Sequence, residues 1–239
     1  MKQSKFDKPS SRKALHFLPF CALALLLSAC AKMGQPDGGW YDETPPQVIA
    51  ESPSDGATGV NSKKATLYFS EYIKIDNPTE NVVVSPPQKE APEIKNEGKK
   101  ISVKLIDDLK PNTTYTIDFS NAISDNNEGN PLGNYTYTFS TGDHIDTMEV
   151  AGCVVEADNL EPVKGILVGL YDNLADSAFT TLPMLRVART DDTGHFDIKG
   201  VRNGKYHVFA LQDADNNYMF NAKSEMIAFD KTVYATTCR

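Results

Sequence analysis

The stretch Thr114-Tyr115-Thr116-Ile117-Asp118-Phe119-Ser120 alternates large apolar side chains with small polar ones, and Tyr135-Thr136-Tyr137-Thr138-Phe139-Ser140 repeats the pattern fifteen residues later. A period of two sends the aromatic and aliphatic set to one side of an extended chain and the polar set to the other, which predicts half-buried antiparallel strands. Working outward, Leu67 and Phe69 alternate in the same way, as do Ile101, Val103 and Leu105. Between these runs stand Ser52-Pro53-Ser54-Asp55-Gly56, Asn96-Glu97-Gly98, Pro111-Asn112 and Glu128-Gly129-Asn130-Pro131, which provide the fixed or positive φ that tight turns require. No helical period is sustained for three turns between residues 47 and 142, so this region predicts an all-β sandwich.

A second strand series begins at Met148 to Val155, after the polar segment Gly142-Asp143-His144. It continues through Gly165 to Tyr171, Leu185 to Thr190, His195 to Ile198 and Tyr206 to Gln212, with further strands expected near Met226 to Phe229 and Thr232 to Ala235. Thr193-Gly194 and Asn203-Gly204 mark hairpin turns. The expected architecture is therefore all-β, with two tandem β-sandwich domains at 47–142 and 147–239.

The N-terminus reads differently. Lys2, Lys5, Lys8, Arg12 and Lys13 precede an apolar run from Leu15 to Leu27. The run is shorter than the roughly 20 residues that span a bilayer, and it closes on the small residues Ser28 and Ala29, as a cleaved export signal over 1–29 does. Leu27-Ser28-Ala29-Cys30 resembles the bacterial lipobox, and the resemblance implies that Cys30 carries lipid and ties the mature chain to a membrane. Acyl chains contribute about 0.8 kcal/mol per buried methylene, enough for two or three of them to hold a domain durably. Residues 30–46, rich in Gly, Pro and polar groups, read as a flexible lipidated stalk. Ala31 after the cysteine favours the outer membrane, with the leaflet open.

Removing 1–29 takes the chain from 24 basic and 32 acidic residues to 19 and 31, so its net charge goes from −8 to −12. Such a surface repels phosphate backbones, which argues against nucleic acid as a partner. Envelope proteins or glycans remain as expected partners. Of four cysteines, Cys21 leaves with the signal and Cys30 is committed to lipid. Cys153 and Cys238 are then the one possible disulfide, although the apolar strand around Cys153 favours a buried free thiol.

Pro53 to Val60, Leu67-Tyr68-Phe69-Ser70-Glu71, Leu109 to Tyr115, Ala122-Ile123-Ser124-Asp125 and Tyr137 to Gly142 together resemble the bacterial Ig-like domain of the SbsA type. Val150-Ala151-Gly152-Cys153-Val154, Val168 to Tyr171, Arg189 to Phe196 and Gly204 to Val208 are similar to the carboxypeptidase regulatory-like, transthyretin-type sandwich. The pairing resembles a group of Ig-like lipoproteins of Bacteroidota. Those proteins are usually longer, which implies a missing C-terminal portion. Both resemblances imply scaffolding, adhesion or service as an accessory module of a glycan-processing system.

Asp213-Ala214-Asp215-Asn216-Asn217 has the D-x-D-x-N spacing of a calcium loop, but Tyr218 and Ser224 stand where the EF-hand pattern needs Gly and Glu. Asp125 to Asn130 reads as a turn. Nucleophilic catalysis needs a base beside Ser, Cys or Thr with an orienting group; His144, His195 and His207 bring no such motif with them. No catalytic residue, metal or cofactor is assigned. The connection from Asp172 to Pro183 is long enough for a binding loop, and an exposed cluster of Tyr218 and Phe220 would favour glycan contact.

Overall fold

The computed structural model describes residues 41–175 and 177–236, and residues from Asp42 onward form one compact unit. Cys30, the expected export signal over 1–29 and Cys238 lie outside the described residues. The chain is all-β, as its alternation predicts, with every sheet antiparallel.

In the first half, β1 (Val48–Ser52), β2 (Lys64–Phe69), β6 (Lys100–Lys104) and β5 (Glu93–Asn96) form a sheet in the order β1-β2-β6-β5. Facing it, β4 (Val83–Ser85), β7 (Thr114–Ser120) and β9 (Tyr135–Ser140) form the second. β3 (Ile73–Ile75) pairs with β8 (Ile123–Asp125), and the single turn α1 (Pro78–Asn81) leads into β4. The apolar set of the alternating strands meets between the sheets: Leu67, Phe69, Ile101, Val103, Tyr115, Ile117, Phe119, Tyr137 and Phe139 are all buried. Tyr115 stacks on Phe139 with ring centroids 5.2 Å apart. The buried tyrosines still satisfy their hydroxyls, Tyr137 donating to the Pro53 carbonyl at 2.9 Å and Tyr115 accepting from Lys110 N–H at 2.8 Å.

In the second half, β10 (Met148–Cys153) pairs with β13 (His195–Val201). The other sheet runs β12 (Arg186–Arg189), β11 (Leu167–Tyr171), β14 (Gly204–Leu211), β15 (Ile227–Phe229), with β16 (Tyr234–Thr236) also on β14. Val150, Val168, Leu170, Phe196, Ile198 and Tyr206 fill the space between the sheets. All five residues of β11 are buried, because its other face is covered as well. The cover is a third cluster, in which Leu167, Tyr171, Val187 and Phe209 meet Phe179, Tyr218, Phe220 and, from the first half, Val83.

Three expectations change here. The 172–183 connection folds into α2 (Ala178–Thr181), and Phe179 stacks on Phe209 with centroids 5.0 Å apart, so part of it is core. The stalk stops short of 46: Asn130 Nδ2 donates to the Asp42 carbonyl at 2.7 Å, and Pro46 is buried. Cys153 is exposed, not buried, because Val150, Gly152 and Val154 take the inner face of the strand and Ala151, Cys153 and Val155 the outer.

Candidate functional site

The start of the polar face of β7 does not meet water. Thr114 and Thr116 are 2% and 4% exposed, because the second half packs on them. The group that organises this seam is Arg186, at the start of β12. Its Nη1 donates to the Thr114 carbonyl, and its Nη2 donates to Thr116 Oγ1 at 3.3 Å and to the Lys199 carbonyl at 2.6 Å. Burial pushes the guanidinium pKa down to about 10, while the nearby Asp146 charge opposes the shift. Val187 N–H, next along β12, donates to the buried hydroxyl of Ser85 at 3.1 Å. The linking segment is tied as well: Asp146 N–H donates to Thr114 Oγ1 at 2.8 Å, and that hydroxyl donates to Asp146 Oδ2 at 3.1 Å. Arg202 Nη2 reaches the Asn112 carbonyl at 2.7 Å. The polar segment between the two strand series is thus fastened to the first half.

Two clefts open where the halves diverge on either side of Val83 and Arg189. One, of about 450 Å³, has Pro78, Val82 and Gln88 on one wall and Leu167, Asp215 and Tyr218 on the other. The second, of about 400 Å³, is more polar, with Asp76, Asn81, Asp118, Lys164 and Asp192 around it. Burial raises the Asp118 carboxyl above its ordinary pKa, against the Ser120 N–H and the Lys199 charge. Arg189 Nη1 donates to the Gly165 carbonyl at 2.8 Å between them.

Asp213 and Asp215 come together with a residue that the EF-hand spacing missed. Their carboxylate oxygens and one of Glu225, a single position past Ser224, lie within 4.8 Å of one another. Three carboxylates are the donor type of a hard divalent cation, so these are the residues that could hold one. Their present work is structural: Glu225 is 5% exposed and accepts N–H groups from Ala214 at 3.3 Å and from Asn221 and Ala222 at 3.1 Å. These backbone bonds hold its carboxyl below the usual range. Asn217, the expected third ligand, commits its amide oxygen to Met219 N–H at 2.7 Å.

Tyr218 and Phe220 are half-buried against the third cluster, so they do not form an exposed aromatic pair. Tyr218 forms part of a wall of the larger cleft. His144 is exposed and hydrogen-bonds Asp143 at 2.7 Å. His195 is exposed and stands across the ladder from Cys153, a juxtaposition hidden in the sequence by forty-one intervening residues. Cys153 lies opposite His195, whereas β16 runs to Thr236 opposite Gly204, at the other end of β13 and β14.

Residues 42–141 match the bacterial Ig-like domain family. The match covers the first half as far as the end of β9. Among solved structures, the chain is similar to the methionine-rich copper resistance protein PcoC of Escherichia coli, at 18% identity over 40% of this chain and 97% of that one, with a TM-score of 0.30. The N-terminal part of the S-layer protein SbsC is 14% identical over 78% of this chain and 44% of its own, with a TM-score of 0.29. The major pilin BcpA of Bacillus cereus is 11% identical over 77% of this chain and 66% of its own, with a TM-score of 0.22. No curated protein sequence matches the chain.

Proposed function

We propose that this chain is a non-enzymatic cell-envelope lipoprotein, anchored through Cys30, in which an Ig-like sandwich at 47–142 and a carboxypeptidase regulatory-like sandwich at 147–239 act as one structural or interaction module. The carrying observation is the seam: Arg186, Ser85 and Asp146 fasten the halves through groups that a pair of independently moving beads would leave in water. A module of this kind transmits position and force, which suits a spacer or scaffold at the outer membrane. The lipobox-like Leu27-Ser28-Ala29-Cys30 supports the anchor, and the acidic surface favours envelope proteins or glycans over nucleic acid.

Palmitate labelling with membrane fractionation tests the anchor. The natural chain is expected to take label and sediment with the outer membrane, and Cys30→Ser to lose both. Label retained by Cys30→Ser overturns the assignment. Turnover of peptide or glycan substrates by the purified chain overturns the non-enzymatic reading.

A carbohydrate-binding adhesin is the second reading, favoured by Tyr218 and the polar groups around the larger cleft. Glycan-array binding that disappears in Tyr218→Ala supports it against a pure scaffold.

A further inference from the structure

β10 pairs with β13 alone; among the described residues no strand hydrogen-bonds to its other edge, although β16 comes near it without pairing. Val154 N–H donates to the Gly194 carbonyl at 2.8 Å. By the alternation of an antiparallel ladder, the N–H and C=O groups of Ala151 and Cys153 therefore point away from β13, toward the open edge. That edge borders a groove of about 320 Å³ in which six successive residues, Val150 to Val155, form one wall. Phe229 and Tyr234 form the opposite wall, and the floor is the core itself: Val168, Phe196 and Ala210. Phe229 is 61% exposed and Val155 45%.

Proteins normally blunt such an edge with lysine, proline, an inward charge or a bulge. β10 has an irregularity between Met148 and Val150, but from Val150 to Val155 it carries no charge and no proline. An unprotected backbone edge beside an open apolar core is the geometry of β-strand addition, in which main-chain hydrogen bonds give affinity and alternate side chains fill the groove.

We infer that the β10 edge and its groove receive an extended strand of a partner protein, with apolar side chains at every second position and basic residues at its ends. Six residues of strand cover about 20 Å, which makes the wall a track for a chain rather than a socket for a compact ligand. The charge at the ends follows from the rim: among the described residues Asp230 is the sole charged one lining the groove, and Glu149 and Glu156 are exposed at the two ends of the track. The inference names the partner class for the interaction role proposed above and rests on that role.

The test uses the full-length chain and the blocked peptide Lys-Val-Thr-Val-Thr-Val-Lys, with hydrogen exchange read at single amides. Bound peptide is expected to slow exchange at Ala151 and Cys153 by about tenfold or more. A peptide N-methylated at alternate residues, which cannot complete the ladder, is expected to give no protection. Ala151→Pro removes an outward N–H that β13 does not use, so it is expected to abolish protection while the thermal transition stays in place. Absence of protection, equal protection by the N-methylated peptide, or self-association of the chain through β10 overturns the inference. None of these outcomes alters the labelling result for Cys30, so the two readings fail separately.

Discussion

Arg186 of the second half donates to the backbone carbonyl of Thr114 in the first, and both residues are at least nine-tenths buried. A guanidinium taken out of water is costly unless its donors are met. Here three neutral acceptors, from β7 and β13, meet Nη1 and Nη2. Nε finds no partner among the described residues, so the clamp spends its donors on fastening the halves.

Arg186→Ala leaves the carbonyls of Thr114 and Lys199 without donors and opens a cavity. It is expected to cost about 2–4 kcal/mol. Urea unfolding followed by circular dichroism checks the magnitude. Because the seam is also what joins the halves, the variant is expected to unfold in two transitions and the natural chain in one. A shift below about 0.5 kcal/mol, the size of an ordinary surface substitution, would remove Arg186 from its role.

Gly200 tests the same clamp from the other side. Its φ is +67°, and a Cβ there would stand 2.3 Å from Arg186 Nη2 and 3.1 Å from Thr116 Cγ2. Gly200→Ala therefore combines backbone strain with displacement of the guanidinium, and is expected to cost about 2 kcal/mol or more. The two substitutions share a contact, so they should not add. In the Arg186→Ala background the alanine at 200 is expected to cost less, with strict additivity in a double-mutant cycle counting against the clamp.

These residues show where the sequence was legible and where it was not. The core of the first half could be read from Tyr115, Ile117, Phe119, Tyr137 and Phe139, because a sandwich interior demands period two. The seam could not. Thr114, Thr116, Ser85 and Arg186 are polar residues that alternation assigns to the solvent side, and they are buried because two such sides meet. A local period carries no information about what covers the outer face. Cys153 failed for the opposite reason: its neighbours are apolar, but an edge strand exposes one side chain in two. Glu225 was missed because a fixed ligand spacing looks at Ser224, whereas this loop closes one residue later.

Asp125 predicts a pH dependence. It is 1% exposed, and its carboxylate accepts N–H groups from Asn127 at 2.9 Å, Glu128 at 2.6 Å, Gly129 at 3.0 Å and Asn130 at 2.6 Å. Burial alone would raise its pKa, but the four backbone donors outweigh it and hold the group at about 2, against 3.8 unperturbed. A depressed folded pKa means that the carboxylate's contribution is fully present above the unfolded value and is lost as pH falls through the folded one. Asp125→Asn is thus expected to be less stable than the natural chain by a constant margin from pH 7 to 5. That margin should shrink between about pH 4 and 2. Urea midpoints of the two proteins across this range check it, and a margin that holds its size at pH 2 would show that the charge is not what closes the turn.

Glu225 does for the 213–222 loop what Asp125 does for its turn, with one difference that decides the experiment. The four donors to Asp125 lie within five residues of it, whereas Glu225 reaches back eleven residues to Ala214 N–H as well as to Asn221 and Ala222. Its removal should therefore free a long loop rather than unravel a tight one. Tyr218 and Phe220, which ride on that loop, pack against Phe179 and Phe209 in the third cluster. Glu225→Ala is accordingly expected to raise amide exchange across residues 213–222 and to loosen Phe179, while the exchange of β7 and β9 stays unchanged. Exchange that rises equally in both halves would mean that the third cluster, through Val83, couples the loop to the whole molecule. In that case the seam and the loop form one cooperative unit.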